Sequence, residues 1–445
     1  MQQWARFAIL GAMFVTAYLL ILAWQKDYGN AATAPQQQAA AVSSHEVSAD
    51  LPNAKNATVA SDVPQANIAQ SQTTDATAPV NQQLISVQTD LYHIWINPKG
   101  GDIVRIELLS HDKSKDSDQP FVMLENDAKR TYVAQSGLIG LNGPDSSRGG
   151  RPLYAVEKTS YTLADAKGVQ DQKGQSEKVL NVPMVFKTPE GVEIIKTFTF
   201  TQGQYPIVVK HQVINRSQQS WQGQMFGQLK RDNSEDPGKS SQGIFTLGTF
   251  LGGAWGTPDA HYNKLKFANF SEEKVNTEAK GGWVAIVQHY FVSAWIPGNL
   301  KLTQANGQPY VAKLESRQSA DHMNIIGFTS PVINVPAGTS MEVDAKLYSG
   351  PKVQSELKDL AVGLNQTVDY GWLWPIAKLL FLGLQFFHSI VGNWGWSIIL
   401  LTIMVKMILW PLSSKSYRSM AKMRVIAPEM QRMKEEFGEI GRAHV

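Results

Sequence analysis

Lys406 is the residue whose setting most directly indicates chemistry, because it is the single charge in the 19-residue apolar run over 394–412. A lysine at the centre of a membrane costs about 2.5–3.5 kcal/mol on insertion scales. Lys406 lies about 9 Å from the C-terminal end of the run, so its long side chain can extend to the headgroups there. The alternative is a lysine that faces a hydrated, protein-lined cavity and attracts acidic groups. The sequence leaves both interpretations open.

Other chemistry-bearing side chains are scattered through the chain. Glu193, His211 and His289 lie in a β-rich region, where buried structural histidines are the simplest interpretation. No HExxH, nucleophile-elbow or P-loop motif occurs. The chain has no cysteine, which excludes disulfides, cysteine zinc sites and thiol nucleophiles. A net charge of +3 gives no indication of a nucleic-acid ligand. We therefore expect no enzyme, no metal and no cofactor.

Two further apolar segments accompany the run that carries Lys406. Residues 7–24 contain no charge and reach about 27 Å as a helix, which is enough to cross a bilayer core. Ala32-Thr33-Ala34 fits a signal-peptide cleavage pattern, but the apolar run is longer than a signal core. We predict a retained N-terminal membrane anchor over 1–27. The second segment, 370–391, is apolar but contains Lys378, Gln385, His388 and Ser389 on one helical side.

The distribution of basic residues decides how the segment 370–391 meets the membrane. Basic residues should stay on the cytoplasmic side, and four follow the apolar run: Lys415, Arg418, Lys422 and Arg424. With the N-terminus also inside, the chain needs an even number of spans, which 7–24 and 394–412 supply. The segment 370–391 is therefore predicted to lie in the interface as an amphipathic helix, with a short re-entrant hairpin as the alternative. Aromatic rings prefer that boundary, and the predicted anchors are Trp372, Trp374, Lys378 and Trp394.

The region 84–351 is predicted to form a large antiparallel β-sandwich. Polar and apolar residues alternate over 196–201, a turn follows over 203–206, and β-branched residues resume over 207–214, which predicts a hairpin. Further strands are predicted over 91–96, 182–186, 284–287, 324–328 and 341–347. Residues 28–83 are rich in Ala, Gln, Ser and Thr and are predicted to be a disordered linker.

Two helical patterns frame the second membrane span. Residues 352–365 could form a short helix with Leu357, Leu360 and Leu364 on one face. Beyond the span, a stripe at helical spacing includes Tyr417, Met420 and Met423. The stripe is either the packing face of a helical hairpin or a flexible methionine surface for varied partners.

Three motifs in the C-terminal region carry a family resemblance: DYGWLW over 369–374, HSIVGNW over 388–394 and YRSMAKM over 417–423. With GGW over 281–283, YF over 290–291 and AWIP over 294–297, they resemble the YidC/Oxa/Alb family of membrane-protein insertases. The resemblance covers nearly the whole chain. It implies a mutarotase-like periplasmic supersandwich, an interfacial helix, a spanning helix, and the first arm of a cytoplasmic helical hairpin that includes Tyr417, Arg418, Met420 and Met423.

The resemblance also implies a role for Lys406. Family members hold a basic residue in a hydrophilic groove within the membrane, where it lowers the cost of moving the polar segment of a client part-way across. Many have arginine there, and lysine keeps the charge but loses the planar two-pronged fork. The family core has five spanning helices and this chain contains the first, so the sequence resembles an N-terminal portion of an insertase.

The predicted order is therefore anchor (1–27), linker (28–83), periplasmic sandwich (84–351), short and interfacial helices (352–392), second span (393–413) and cytoplasmic arm (414–445). The predicted function is an insertase and chaperone of the bacterial inner membrane, with the N-terminus in the cytoplasm. Its predicted partners are nascent membrane proteins, the Sec translocon with its accessory subunits, the ribosome and the lipid bilayer. The alternative is a membrane-anchored periplasmic carbohydrate-binding or mutarotase-like module.

Overall fold

The computed structural model describes residues 83–114, 117–146, 150–170, 176–236, 250–298, 311–319, 321–369 and 374–437. The predicted anchor over 1–27 and all but the end of the predicted linker over 28–83 lie outside these residues. The described part contains two large β-sheets, followed by three helices.

The first sheet has eleven strands, and all its described pairings are antiparallel except that of β1 with β7. From one edge to the other the strands are β15 (Asn276–Ala279), β18 (Ala312–Gln318), β19 (Asn324–Thr329), β12 (Trp221–Arg231), β5 (Thr131–Ile139), β4 (Pro120–Asn126), β3 (Asp102–Asp112), β2 (Tyr92–Asn97), β1 (Ile85–Gln88) and β7 (Ser160–Thr162), with β20 (Ile333–Val335) paired to β12.

The second sheet has ten strands and is antiparallel throughout its described pairings. Its order is β14 (Asn263–Lys266), β13 (Gly252–Gly256), β16 (Trp283–Val287), β17 (Phe291–Pro297), β21 (Ser340–Pro351), β11 (Pro206–Asn215), β10 (Val192–Thr201), β9 (Ser176–Lys187) and β6 (Ala155–Val156), with β8 (Lys167–Gln170) paired to β9.

Alternation of buried and half-buried residues along β10 and β11 confirms the predicted hairpin. The two strands pair in register from Val192 with Asn215 to Phe200 with Ile207. Gly203 turns the chain with a φ of 74°, which glycine adopts without steric cost. The other predicted strands also match observed ones: 91–96 is shifted by one residue from β2, and the rest lie within β9, β16, β19 and β21.

The two sheets enclose one apolar core, and buried polar side chains tie them together. The indole of Trp295 in β17 donates to the carbonyl of Gln228 in β12 at 3.1 Å. The hydroxyl of Tyr92 in β2 lies 2.6 Å from the carbonyl of Ser349 in β21. Strands β16, β17 and β19 are buried along their whole length, so these three strands are covered on both faces.

The predicted helix over 352–365 is shorter than expected. Helix α1 covers Gln354–Leu360, and a separate 3₁₀ turn covers Leu364–Thr367. Ala361 ends α1 in an extended conformation, and Gly363, with a φ of 81°, immediately precedes the 3₁₀ turn. Leu357 and Leu364 are buried in the core as the pattern predicts.

Two long helices follow the sandwich. Helix α2 covers Trp374–Val391, and helix α3 covers Trp394–Phe437 as one continuous element of 44 residues. The sequence predicts a span that ends near residue 413 and a new helix from about residue 416. Instead α3 passes through Pro411 and Pro428. A proline removes one backbone hydrogen bond and bends a helix without necessarily ending it. Among the described residues, α3 alone is long and apolar enough to cross a membrane.

Candidate functional site

Helices α2 and α3 form a tight antiparallel pair joined by a turn of two residues, Gly392 and Asn393. Gly392 ends α2 with a φ of 69° and donates its N–H to the carbonyl of His388 at 2.8 Å. The side-chain oxygen of Asn393 then accepts the N–H of Gly395 at 2.8 Å and caps α3. The rings of His388 and Trp394 stack across the turn with centroids 3.8 Å apart. The stacking of Trp394 on His388 thus stabilises the turn between the helices.

Small residues bring the two helices into contact. A side chain added at Gly383 of α2 would lie 3.1 Å from Leu401 and 3.7 Å from Met404 of α3. Ser397 is buried on the same face of α3, and its hydroxyl donates to the carbonyl of Asn393 at 2.7 Å. Ser397, Leu401 and Met404 recur at spacings of four and three, which define the face of α3 that packs on α2.

Lys406 lies on the opposite face of α3. Nine residues separate it from Ser397, and at about 100° per residue this places the two side chains about 180° apart around the helix. Lys406 is exposed, and the part of the chain that the structure describes gives it no ion pair. Thr402, one turn earlier, is also exposed, and its hydroxyl donates to the carbonyl of Ile398 at 2.7 Å. The α2 helix therefore does not cover the charge.

Helix α2 presents polar and apolar residues to different sides. Lys378, Gln385 and Ser389 are exposed, and the hydroxyl of Ser389 donates to the carbonyl of Phe386. The predicted polar member His388 instead stacks on Trp394. The exposed apolar residues of α2 include Ile376, Leu379, Leu382, Phe386 and Ile390. Of the predicted interfacial anchors, Trp372 lies outside the described residues, as does the side chain of Trp374.

The stripe beyond the span is exposed throughout its described length. Tyr417, Arg418, Met420 and Met423 all face solvent on α3, and no other described helix packs against them. The structure brings these residues onto one helix with Lys406. It does not bring them near the predicted interfacial residues.

A short segment fastens the start of α2 to the sandwich, and we call residues 352–369 the clasp. The indole of Trp283 donates to the carbonyl of Val362 at 2.9 Å. The ammonium of Lys352 donates to the carbonyl of Thr367 at 3.2 Å, and burial lowers the pKa of Lys352 to about 8. Lys264 of β14 forms an ion pair with Asp369. The last described residue before α2 is therefore held against the sandwich.

The groups that suggested carbohydrate chemistry are not brought together. Glu193 faces outward from β10 and pairs with Arg216 at 2.8 Å. His211 of β11 is fully buried on the inner side. His289 lies in the turn before β17 and stacks on Tyr290. The described residues contain no group of acids and histidines arranged to hold a metal.

A buried charge cluster inside the sandwich is the feature that sequence reasoning missed. Lys196 is fully buried, and its ammonium donates to the carbonyls of Gly100, Gly101 and Ser136 at 2.8–3.0 Å. Arg151 beside it pairs with Asp102 at 2.9 Å and with Asp145. One signal was available, since Lys196 shares the inward parity of Phe198 and Phe200 on an alternating strand.

Comparisons with known families assign almost the whole described chain. The profile for the YidC periplasmic domain matches residues 84–382, and the profile for the 60Kd inner membrane protein matches residues 386–443. A membrane protein insertase YidC from Pseudomonas putida strain GB-1 is 43% identical over 435 residues, which cover 98% of this chain and 74% of that protein. The protein of the same name from Azotobacter vinelandii strain DJ is 41% identical, with the same coverage.

Among solved structures, the chain is similar to a galactose mutarotase related enzyme from Lactobacillus acidophilus. The match has a TM-score of 0.37 at 9% identity and covers 60% of this chain and 97% of that chain. A second match, a galactose mutarotase-like protein from Clostridium acetobutylicum, has a TM-score of 0.34 at 10% identity and covers 61% of this chain and 96% of that one.

Proposed function

The chain belongs to the YidC family of membrane protein insertases, and from that membership we propose that it assists the insertion, folding and assembly of integral inner-membrane proteins. Its substrates are nascent membrane proteins. Such a protein binds and releases polypeptide segments without making or breaking covalent bonds, so it is not an enzyme. The β-sandwich lies in the periplasm, and the helices that follow it lie in and on the inner membrane.

The observation that carries this proposal is the position of Lys406. It is the charge within the apolar run of α3, and it is exposed on the face turned away from α2. A charge in that position is tolerated when a hydrated surface faces it. Lys406 there attracts acidic groups of a client and shortens the path that the polar segment of the client makes through hydrocarbon. The lysine ammonium acts as a point charge rather than a two-pronged donor.

The remaining elements support the same mechanism. Helix α2 lies in the periplasmic interface, with its exposed apolar side in the lipid and with Trp372, Trp374, Lys378 and Trp394 as anchors. The stripe with Tyr417, Arg418, Met420 and Met423 lies in the cytoplasm, where flexible methionines suit varied partners. The N-terminus is cytoplasmic, and the Sec translocon and the ribosome are partners on this route.

The alternative of a periplasmic carbohydrate-binding module has less support. Glu193 and His211 lie on opposite faces of one hairpin, so they cannot act together on a sugar. That alternative also gives no role to the apolar helix α3.

The proposal is tested by reversing the charge at Lys406. The full chain is reconstituted in lipid vesicles, and insertion of a single-span client with acidic residues in its translocated segment is measured by protease protection. Lys406→Glu should lower insertion roughly tenfold, because a tenfold change corresponds to about 1.4 kcal/mol, within the range for one partly buried charge pair. Lys406→Arg should insert the client as the wild type does.

Lys415→Glu is the matched control, because it reverses a lysine of the same helix outside the apolar run. It should leave insertion of the acidic client within twofold of wild type, a difference of about 0.4 kcal/mol. Equal insertion by Lys406→Glu and wild type would contradict the proposed role.

A further inference from the structure

The turn between β16 and β17 carries an exposed aromatic pair on a rigid base. Both strands are buried along their whole length. Between them, Tyr290 is 69% exposed, and its ring stacks on that of His289 with centroids 3.9 Å apart. Among the exposed large apolar side chains of the described sandwich, Tyr290 is the aromatic one. Packing within the sandwich does not explain its position, because most of its surface touches nothing.

Contacts on both sides of the turn hold it in place. Phe291 stacks on Phe121 across the two sheets, with ring centroids 4.2 Å apart. The side-chain amide of Gln288 donates to Asp236 at 2.6 Å. The turn therefore presents Tyr290 outward in one conformation, without a large entropic cost when a partner surface meets it.

The exposed pair lies beside the clasp that leads into α2. The N–H of Lys352 donates to the carbonyl of Tyr290 at 2.9 Å, and Val353, next along the chain, is 37% exposed. We call His289, Tyr290, Lys352 and Val353 the Tyr290 tip. The ammonium of Lys352 also reaches the carbonyl of Thr367, near the end of the clasp. Five peptide steps separate Asp369 from the first residue of α2, a span of at most about 18 Å.

We propose that the Tyr290 tip rests in the headgroup layer of the bilayer and gives the sandwich a second contact with the membrane. Tyrosine has an apolar ring and a polar hydroxyl, and side chains of this type concentrate at the membrane–water interface. The exposed side chains of Val353 and His289 beside it provide the same mixture of apolar and polar contact. The occupant is a lipid surface because the tip continues, through the clasp, into the amphipathic helix α2. The inference rests on the interfacial position proposed for α2.

The absence of cysteine from the chain makes the test direct, since one introduced cysteine can be labelled alone. Tyr290→Cys and, in a second protein, Val353→Cys are labelled with an environment-sensitive fluorophore. Each full-length chain is reconstituted in vesicles of phosphatidylcholine and phosphatidylglycerol that contain lipids with a nitroxide on the headgroup. Loss of fluorescence then reports contact with the headgroup layer.

Leu141→Cys is the matched control, because Leu141 is also an exposed apolar residue next to a strand, at 55%. It follows β5, whose first residues lie at the end of the sandwich that carries the tip. Tyr132 of β5 pairs with Arg231, and Arg231 shares the carboxylate of Asp236 with Gln288. The distance from Tyr132 to Ile139 along β5 is about 24 Å, so Leu141 lies at the opposite end. Leu379→Cys on α2 is the positive control.

Labels at Tyr290 and Val353 should lose most of their fluorescence to the headgroup nitroxide, as the label on α2 does, while the label at Leu141 keeps its signal. Quenching at Leu379 without quenching at Tyr290 and Val353 overturns the tip contact and leaves the proposed function standing. If the label at Leu379 is not quenched, α2 does not lie in the interface, and the inference about the Tyr290 tip is overturned as well. A tip label that is shielded from soluble iodide but unaffected by the lipid nitroxide shows a protein partner instead, which also overturns the inference.

Discussion

At the scale of single residues, the interior of the sandwich carries more charge than an apolar core requires. Lys196 uses three donors on three backbone carbonyls: Gly100 and Gly101 in the turn between β2 and β3, and Ser136 in β5 of the opposite sheet. Arg151 joins Asp102 and Asp145 beside it. Removing one partner from a buried ion pair costs about 3–5 kcal/mol, because it leaves an uncompensated charge. These contacts therefore hold the two sheets in their relative alignment, and removal of one of them should destabilise the sandwich.

The stability of the sandwich should depend on pH through His211. Burial, with the nearby charges of Lys196 and Arg151, lowers the pKa of His211 well below its usual value, so the folded state keeps it neutral. The unfolded chain binds a proton there as the pH falls below about 6.5. Below that pH the unfolded state holds more protons than the folded state, so the free energy of unfolding falls by about 1.4 kcal/mol per pH unit.

This dependence is measured by urea unfolding of the detergent-solubilised chain between pH 5 and 8. His211→Phe removes the titrating ring and should show a shallower loss of stability below pH 6.5 than the wild type. The same slope in both proteins would show that His211 is not the group responsible.

The sequence singles out one of the two notable lysines, Lys406, and not the other, Lys196, for a physical reason. Lys406 stands out because one charge in an apolar run is visible without any tertiary information. Lys196 was missed although it has the same parity on β10 as Phe198. Lysine is rarely fully buried, so sequence reasoning does not place a lysine inside a sandwich. The carbonyls that accept from it come from residues about 60 to 96 positions earlier in the chain, and no local pattern reveals them.

At the scale of elements, a comparison of two glycines with positive φ distinguishes the cost of a left-handed backbone from the cost of a steric clash. Gly363 has a φ of 81°, and a side chain there would collide with the backbone of His261. Gly338 has a φ of 75° with open space around it. Gly338→Ala should lower the free energy of unfolding by about 1–2 kcal/mol, the cost of the left-handed conformation for an L-residue.

Gly363→Ala should cost more than Gly338→Ala, because the clasp must also move away from His261. Thermal unfolding of the two variants and the wild type in detergent gives both differences. Equal losses would mean that the clasp adjusts freely and does not fasten α2 to the sandwich.

The sequence predicted the strands better than the helix ends. Periodicity of two is a local property, so the strands followed from it. The helix over 352–365 was predicted too long because its leucine spacing continues to Leu364, whereas the backbone is already extended at Ala361 and left-handed at Gly363. Helix α3 continues beyond the predicted span because the span was predicted to end with the apolar run at Leu412, whereas the helical backbone passes through Pro411 and continues to Phe437. The backbone hydrogen bond that Pro411 cannot make is lost from one turn of the helix only. In the same region the hydroxyl of Ser414 donates to the carbonyl of Pro411.

At the scale of the whole molecule, two features could not be predicted from the sequence: the order of the strands in each sheet, and whether α2 packs over Lys406. Neighbours such as β12 and β5 are separated by more than 80 residues, and alternation does not specify which strand pairs with which. Lys406 stands out in the sequence, but its direction relative to α2 depends on the packing of Gly383 against Leu401. A pattern along one helix cannot supply that contact.

The proposed topology places the clasp and the methionine stripe on opposite sides of the membrane. Val362 is 59% exposed and Tyr417 is 71% exposed, so a cysteine at either position is accessible to a thiol reagent. In intact cells with a permeable outer membrane, an impermeant reagent should label Val362→Cys and leave Tyr417→Cys unlabelled. Permeabilising the inner membrane should expose the second site. Labelling of both positions before that step would contradict the topology.

The unbroken course of α3 has a mechanical consequence. Its 44 residues extend about 66 Å, and the hydrocarbon core takes up about 30 Å of that length. In the proposed topology, the remaining length of about 36 Å projects into the cytoplasm as a continuation of the same helix. A tilt of about 20° at the membrane, typical for spanning helices, therefore displaces the far end by about 12 Å. Under the proposed function, a client that tilts the span at Lys406 therefore displaces the cytoplasmic end of α3 further than it displaces Lys406 itself.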